Sequence, residues 1–303
     1  MGDENKAVEL SVDGKDQLVE RKATCPFIGS AVAEGKLAVR CSAENPLASI
    51  GDVERLGNSG GGDLGGLLAL FAAGNHAFMR GDSGKLDKEV PSGLFSLDFP
   101  GSQGAHPGHS GILIGDPERI DSGRLSLADF ERLTSRARDG WIKRSDVGRF
   151  IAENLARDPK SKVDVSNVTK LVGQDLRALT GDVHKFALTF GPRWLRKLFG
   201  FGEGRRLVSR NLKESLTKLL GEDNLVGSAG EFGLLFAFLA NRPGAKKVDG
   251  EPAVAVEDLK NMFIEKRLPA GSEGWKKSWA DWIENTAELA ASAAKQYHTL
   301  RST

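Results

Sequence analysis

Through most of this chain the apolar residues recur three and four positions apart, the spacing that lines one face of an α-helix, and strict alternation with polar residues is scarce. A single tyrosine among 303 residues fits the same poverty of strand-forming stretches. The spacing predicts an all-α fold. Helices are expected over Leu64 to Met79, Ser126 to Ala137, Ser145 to Ala156, Val168 to Leu179, Val183 to Leu198, Asn211 to Leu220, Gly227 to Ala240, Val256 to Ile264 and Trp275 to Thr299. Ser126 stands before Leu127-Ala128-Asp129 and Ser145 before Asp146, where a hydroxyl can accept from the free amides of a first helical turn.

At roughly 150 residues per domain the length suits two domains or one large helical one. The division expected here is a polar, loosely packed N-terminal arm over residues 1–22 and a single multi-helix domain over 23–303. From Gly81 to Gly115, Gly, Pro, Ser and His gather without periodicity, which predicts a long irregular loop of the kind that carries function. No repeat of solenoid period is visible.

With 42 basic residues against 41 acidic ones, the net charge of +1 gives no global field for nucleic acid or an anionic membrane. The first residues, Met1-Gly2-Asp3-Glu4-Asn5-Lys6, hold no apolar targeting core, and no stretch reaches the roughly 18 apolar residues of a membrane span. The expectation is a cytoplasmic protein whose two cysteines, Cys25 and Cys41, stay reduced, and whose partner is small or proteinaceous.

Cys25 is followed by Pro26 at the head of a helix-like stretch, Phe27-Ile28-Gly29-Ser30-Ala31. Proline suits a first helical position, and the free amides beyond it can point back at the sulfur and stabilise a thiolate. The pair also reads as a small buried thiol ahead of a helix. Glu231 stands in an apolar run with Phe232, Leu234, Leu235, Phe236 and Phe238, where poor solvation would raise its pKa toward that of a general acid–base; it reads equally as a carboxylate on a helix dipole. The run Gly60-Gly61-Gly62-Asp63-Leu64-Gly65 satisfies a dinucleotide pattern only formally, since no apolar strand precedes it, and it is read as a loop ending in Asp63 as a helix cap.

Several blocks between Cys25 and Lys276 resemble the heme-thiolate family of fungal chloroperoxidases and unspecific peroxygenases. Phe263-Ile264-Glu265-Lys266-Arg267-Leu268-Pro269 with Gly274-Trp275-Lys276 is similar to that family's Glu-Arg-Leu-Pro and Gly-Trp segment. The stretch from Ser122 through Phe130 to Arg149 is similar to its middle segment, and Cys25-Pro26 lies where the family carries its proximal ligand, with Thr24 in place of a proline. The resemblance implies a chloroperoxidase-like helical domain with long loops, binding heme b through the Cys25 thiolate to iron, beside Pro26. It implies a peroxidase or peroxygenase that uses hydrogen peroxide on a small organic substrate, with Glu231 moving protons. In the loop Gly104 to Leu113, Ser110 matches the family's serine, while His106 and Gly108 replace two carboxylates. A hard divalent cation beside a heme propionate is thereby disfavoured, and His106 and His109 become candidate proton carriers, propionate partners or ligands of a softer metal.

Two other classes stand beside this reading. Glu118 to Asp129 and Ser135 to Asp146 each have the outline of a degenerate twelve-residue calcium loop, with glycine sixth (Gly123, Gly140) and an apolar residue eighth (Leu125, Ile142). Ile120, Ala137 and Ser135 leave those loops short of oxygen ligands. The third class is a non-catalytic helical heme carrier or interaction protein, with Trp275, Trp279 and Trp282 on a core-facing stripe.

Overall fold

The computed structural model describes residues 11–21, 25–41, 46–65, 68, 94–97, 113–114, 124–157 and 224–302. Among these the fold is mainly helical. In chain order the helices are α1 (Val12–Arg21), α2 (Pro26–Ala33), α3 (Ile50–Gly57), α4 (Leu127–Thr134), α5 (Arg144–Arg157), α6 (Asn224–Leu239), α7 (Val256–Phe263) and α8 (Trp279–Arg301). Strands β1 (Arg40–Cys41), β2 (Pro46–Ser49) and β3 (Leu94–Ser96) form one antiparallel sheet, and β4 (Leu113–Ile114) pairs with β5 (Arg124–Leu125). A second three-stranded sheet has the order β6 (Trp141–Lys143), β8 (Glu251–Ala255), β7 (Lys247–Val248). The expected helices at Val168–Leu179, Val183–Leu198 and Asn211–Leu220 lie outside the described residues, as does most of Leu64–Met79.

The core is built where α8 packs along both α5 and α6. Leu289, Ala290 and Ala293 of α8 are 1% exposed or less. Close approach requires glycine on each partner: a Cβ on Gly148 of α5 would fall on Ser292, and one on Gly233 of α6 would fall on Thr286. The Trp282 indole N–H donates to the Gly230 carbonyl at 2.9 Å, which satisfies the polar edge of a ring only 3% exposed.

The segment expected as a loose polar arm contains α1, and its two adjacent apolar residues, Leu18 and Val19, are each 3% exposed. Over Val12–Arg21 the arm is therefore a packed helix against α2. Two neighbouring apolar side chains in a polar decamer give little periodic signal, yet they suffice to anchor one face.

Trp275 was expected to open the last helix, but α8 begins at Trp279. Ser278 caps it, accepting from the Asp281 amide. Between them runs a strap fixed to the turn at Ser59–Gly61. The Lys277 side chain, 1% exposed, gives its ammonium protons to Ser59 Oγ (2.9 Å) and to the carbonyls of Ser272 (3.0 Å), Trp275 (3.0 Å) and Ser59 (3.4 Å). Burial pushes this ammonium down to about 8, against the Glu273 carboxylate, which favours the charged form. Gly62 lies against the Lys277 backbone, where a Cβ would collide. Asp63 is indeed a helix cap, but of α8: its Oδ1 accepts from the Trp279 amide at 2.7 Å.

Candidate functional site

Cys25 occupies the N-cap of α2, with Pro26 at the first helical position and no acidic residue in the first turn. Its carbonyl accepts from the Gly29 amide at 2.7 Å, so the helix closes directly on the cysteine. Cys25 is a free thiol packed against the core. Burial pushes the thiol above its ordinary value of 9.0, while the backbone amides of Ile28 and Phe27, aimed at the sulfur, pull the other way. Neither amide closes a full cap bond to the side chain. The fate of the proton at this site thus depends on what reaches the sulfur. Alone it stays a thiol; a metal ion would displace the proton outright.

Two charges act on that sulfur from elsewhere in the chain: the Glu231 carboxylate raises the thiol further, and the Lys266 ammonium lowers it. Glu231 lies in the first half of α6, half-buried, with Oε1 shielded from solvent. Phe238, two turns farther along α6, meets Phe27 edge-on at a centroid separation of 5.6 Å and so ties α6 to α2. Lys266 adopts a positive φ of 53° just after α7. That turn is held to α2 at two points, by Leu268 N donating to Glu34 Oε1 at 3.0 Å and by Ser30 Oγ donating to the Met262 carbonyl at 3.3 Å. The fold therefore brings Cys25, Glu231 and the Glu265-Lys266-Arg267 segment into one neighbourhood. His106, His109 and Ser110 lie outside the described residues.

A second constellation stands at the sheet β6-β8-β7. Ser135 to Asp146, read from the sequence as a calcium-type loop, does join helix α4 to helix α5. Of Glu118 to Asp129 only residues 124–129 are described, and there α4 starts behind the Ser126 cap. The sequence reading did not find a second hand, α6 to α7. Its strand β8 pairs with β6 in the register Trp141↔Ala255, Ile142↔Val254, Lys143↔Ala253. Each strand runs straight into a helix, and counted from the paired Ile142 and Val254, Asp146 and Asp258 fall at the same position. Both hands carry an Asp-Gly turn with both φ values positive, Asp139-Gly140 at 50° and 79° and Asp249-Gly250 at 52° and 82°. That is the requirement of a type I′ hairpin turn. The two Asp-Gly pairs were the available sequence signal; Pro252, where a calcium loop wants glycine, hid the second hand.

Three carboxylates of this second loop, Asp249, Glu251 and Asp258, have partners. Asp249 Oδ2 meets Lys143 Nζ and Arg138 Nη1, both at 2.8 Å. Glu251 caps α5, accepting from the Ser145 amide at 2.9 Å and its hydroxyl at 3.0 Å. Asp258, 3% exposed, takes Arg242 Nη1 at 2.7 Å. Burial pushes the Asp258 carboxyl up and Arg242 draws it back. Among the described residues no group of three or more His, Cys, Asp or Glu is placed to hold a metal ion, and no helix is long and apolar enough to cross a membrane. Set against known proteins, the chain matches no protein-family model, no curated protein sequence and no solved structure.

Proposed function

We propose that this chain is a heme-thiolate peroxidase or peroxygenase, in a chloroperoxidase-like helical domain, using hydrogen peroxide to oxidise a small organic substrate. The observation that carries the reading is the state of Cys25: a half-buried cysteine at the N-cap of α2, faced by the amides of Phe27 and Ile28 and free of any competing acid in that first turn. This donor set would suit a thiolate that holds a heme iron. Amides aimed at a thiolate spread its negative charge and keep it from being reprotonated or oxidised. When bound, heme would supply the redox-active iron for oxidation by peroxide.

The remaining work falls to side chains. Pro26 starts the helix without consuming an amide. The Lys266 charge favours the anionic sulfur from outside the helix. Glu231, shielded from water on an apolar helix, holds the proton that peroxide cleavage must move between its two oxygens. His106, His109 and Ser110 belong to the same proposal as distal or propionate-side groups, and a divalent cation beside them is not part of it.

The test is the absorption spectrum of protein expressed with a heme precursor, ferric and then ferrous with carbon monoxide. A strongly red-shifted ferrous-carbonyl band is expected, lost in Cys25→Ala and kept in Cys41→Ala. Equal spectra in both variants would overturn the ligand assignment. The hand pair at β6 and β8 favours a second reading, a non-catalytic helical interaction protein, and a colourless protein would select it.

A further inference from the structure

Helix–loop–helix pairs joined by an antiparallel contact at the eighth loop position are the architecture in which a divalent cation gathers carboxylates from one loop and sets the angle of the helices that flank it. Here the architecture is present, and the carboxylates point to different partners. The one that falls at the last, helix-starting position of the second loop, Asp258, is taken by a guanidinium from the same loop. We infer that Arg242 acts as a built-in cation that replaces a bound ion in this pair, and that it couples the pair to the docking of α8.

Arg242 touches three separate parts of the chain. Its Nη1 is hydrogen-bonded to the buried Asp258 of α7 at 2.7 Å, with the carboxylate side chain 4% exposed. Its guanidinium carbon lies 5.8 Å from the ring centroid of Trp141, the first residue of β6 in the other hand. The same carbon lies 5.7 Å from the ring of Trp275, in the strap that leads into α8. A single planar cation thus binds the second loop to the first by an ion pair and a cation–π contact, and binds both to the entry of α8. Trp275 in turn packs on Phe238 of α6 at 5.7 Å, and its carbonyl accepts from Lys277. The strap is consequently fixed at its ring by Arg242 and at its backbone by Lys277.

An exchangeable ion would make this coupling conditional on the ion's concentration. A covalently attached one makes it permanent. Lysine does not reproduce it: an ammonium can pair with Asp258, but it lacks the flat face that two indoles address together. The inference does not depend on heme, and the experiment reads neither colour nor turnover.

The test is hydrogen exchange and thermal unfolding of the full-length chain, wild type and variants, with calcium or with a chelator. For the wild type the same thermal midpoint is expected in both media. Arg242→Ala should lower the midpoint by about 8 °C or more, since it strands a buried carboxylate. It should also speed exchange across the first turns of α8 more than across α4. Arg242→Lys should recover part of the midpoint and little of the α8 protection. Stabilisation of the wild type by calcium would overturn the inference, because a real ion site would then exist. So would a uniform rise in exchange over all helices, which would reduce Arg242 to a general stabiliser. If Arg242→Ala does not fold, the wild-type comparison and Arg242→Lys decide: full α8 protection in the lysine variant would refute the stacking role.

Discussion

The N-terminus of α2 and the N-termini of α5 and α7 face the same electrostatic problem and answer it in opposite ways. Each helix starts with unpaired amides and a partial positive charge. At α5 the carboxylate of Glu251 reaches across from the neighbouring loop, and at α7 the first turn carries Glu257 and Asp258. Those ends are met by carboxylates, of which Glu251 and Asp258 are already held by hydrogen bonds, so a ligand has little to add. At α2 the first turn has no acid, and the group facing the amides is a thiol that burial holds protonated. One region is electrostatically closed. The other completes its charge only when something takes the proton from sulfur, and this contrast is what supports the proposal of a reactive centre at Cys25 and a structural one at the hand pair.

That contrast can be broken on either side. The largest effect is expected from Glu231→Gln, which should leave heme uptake intact and slow reaction with peroxide by about a hundredfold, measured by stopped-flow absorbance. An unchanged rate would remove Glu231 from proton transfer and shift attention to His106 and His109. A smaller effect concerns the thiol itself. The folded Cys25 pKa is raised above 9.0, so the neutral thiol contributes stability that is fully present below that value and is lost as pH climbs through the higher folded one. Alkylation of the heme-free protein should therefore be slow at pH 8 and accelerate only above pH 9, and Glu231→Gln should move the profile toward lower pH by removing a like charge. Fast alkylation at neutral pH would mean that the amides outweigh burial. The smallest effect is expected at the exposed corner of the closed region. Asp249 bridges Lys143 and Arg138 in solvent, and Asp249→Ala should leave the thermal midpoint within about 2 °C of wild type.

Periodicity made the helical body legible because α4, α5, α7 and α8 each bury one face: the expected Ser145 to Ala156 and Val256 to Ile264 differ from Arg144–Arg157 and Val256–Phe263 by one residue at their ends. The strands were not legible, since most are two or three residues long and their register comes from distant partners such as Ile142 with Val254. Cys25 at a helix N-cap followed from Pro26 alone, whereas the electrostatic link to Glu231 and Lys266 required the packing of three distant segments. Asp63 shows the same limit. Its chemistry as a cap was readable, but the identity of the capped helix was set by a fold that returns to it through the strap at Lys277.

Helix α8 follows in sequence every described element that it packs against. During synthesis, α5 and α6 must therefore wait with their glycine-lined faces at Gly148 and Gly233 open to water until α8 itself leaves the ribosome. Any truncation before Trp279 would leave that apolar seam exposed for the lifetime of the protein, and would make premature termination a route to aggregation rather than to a smaller folded domain.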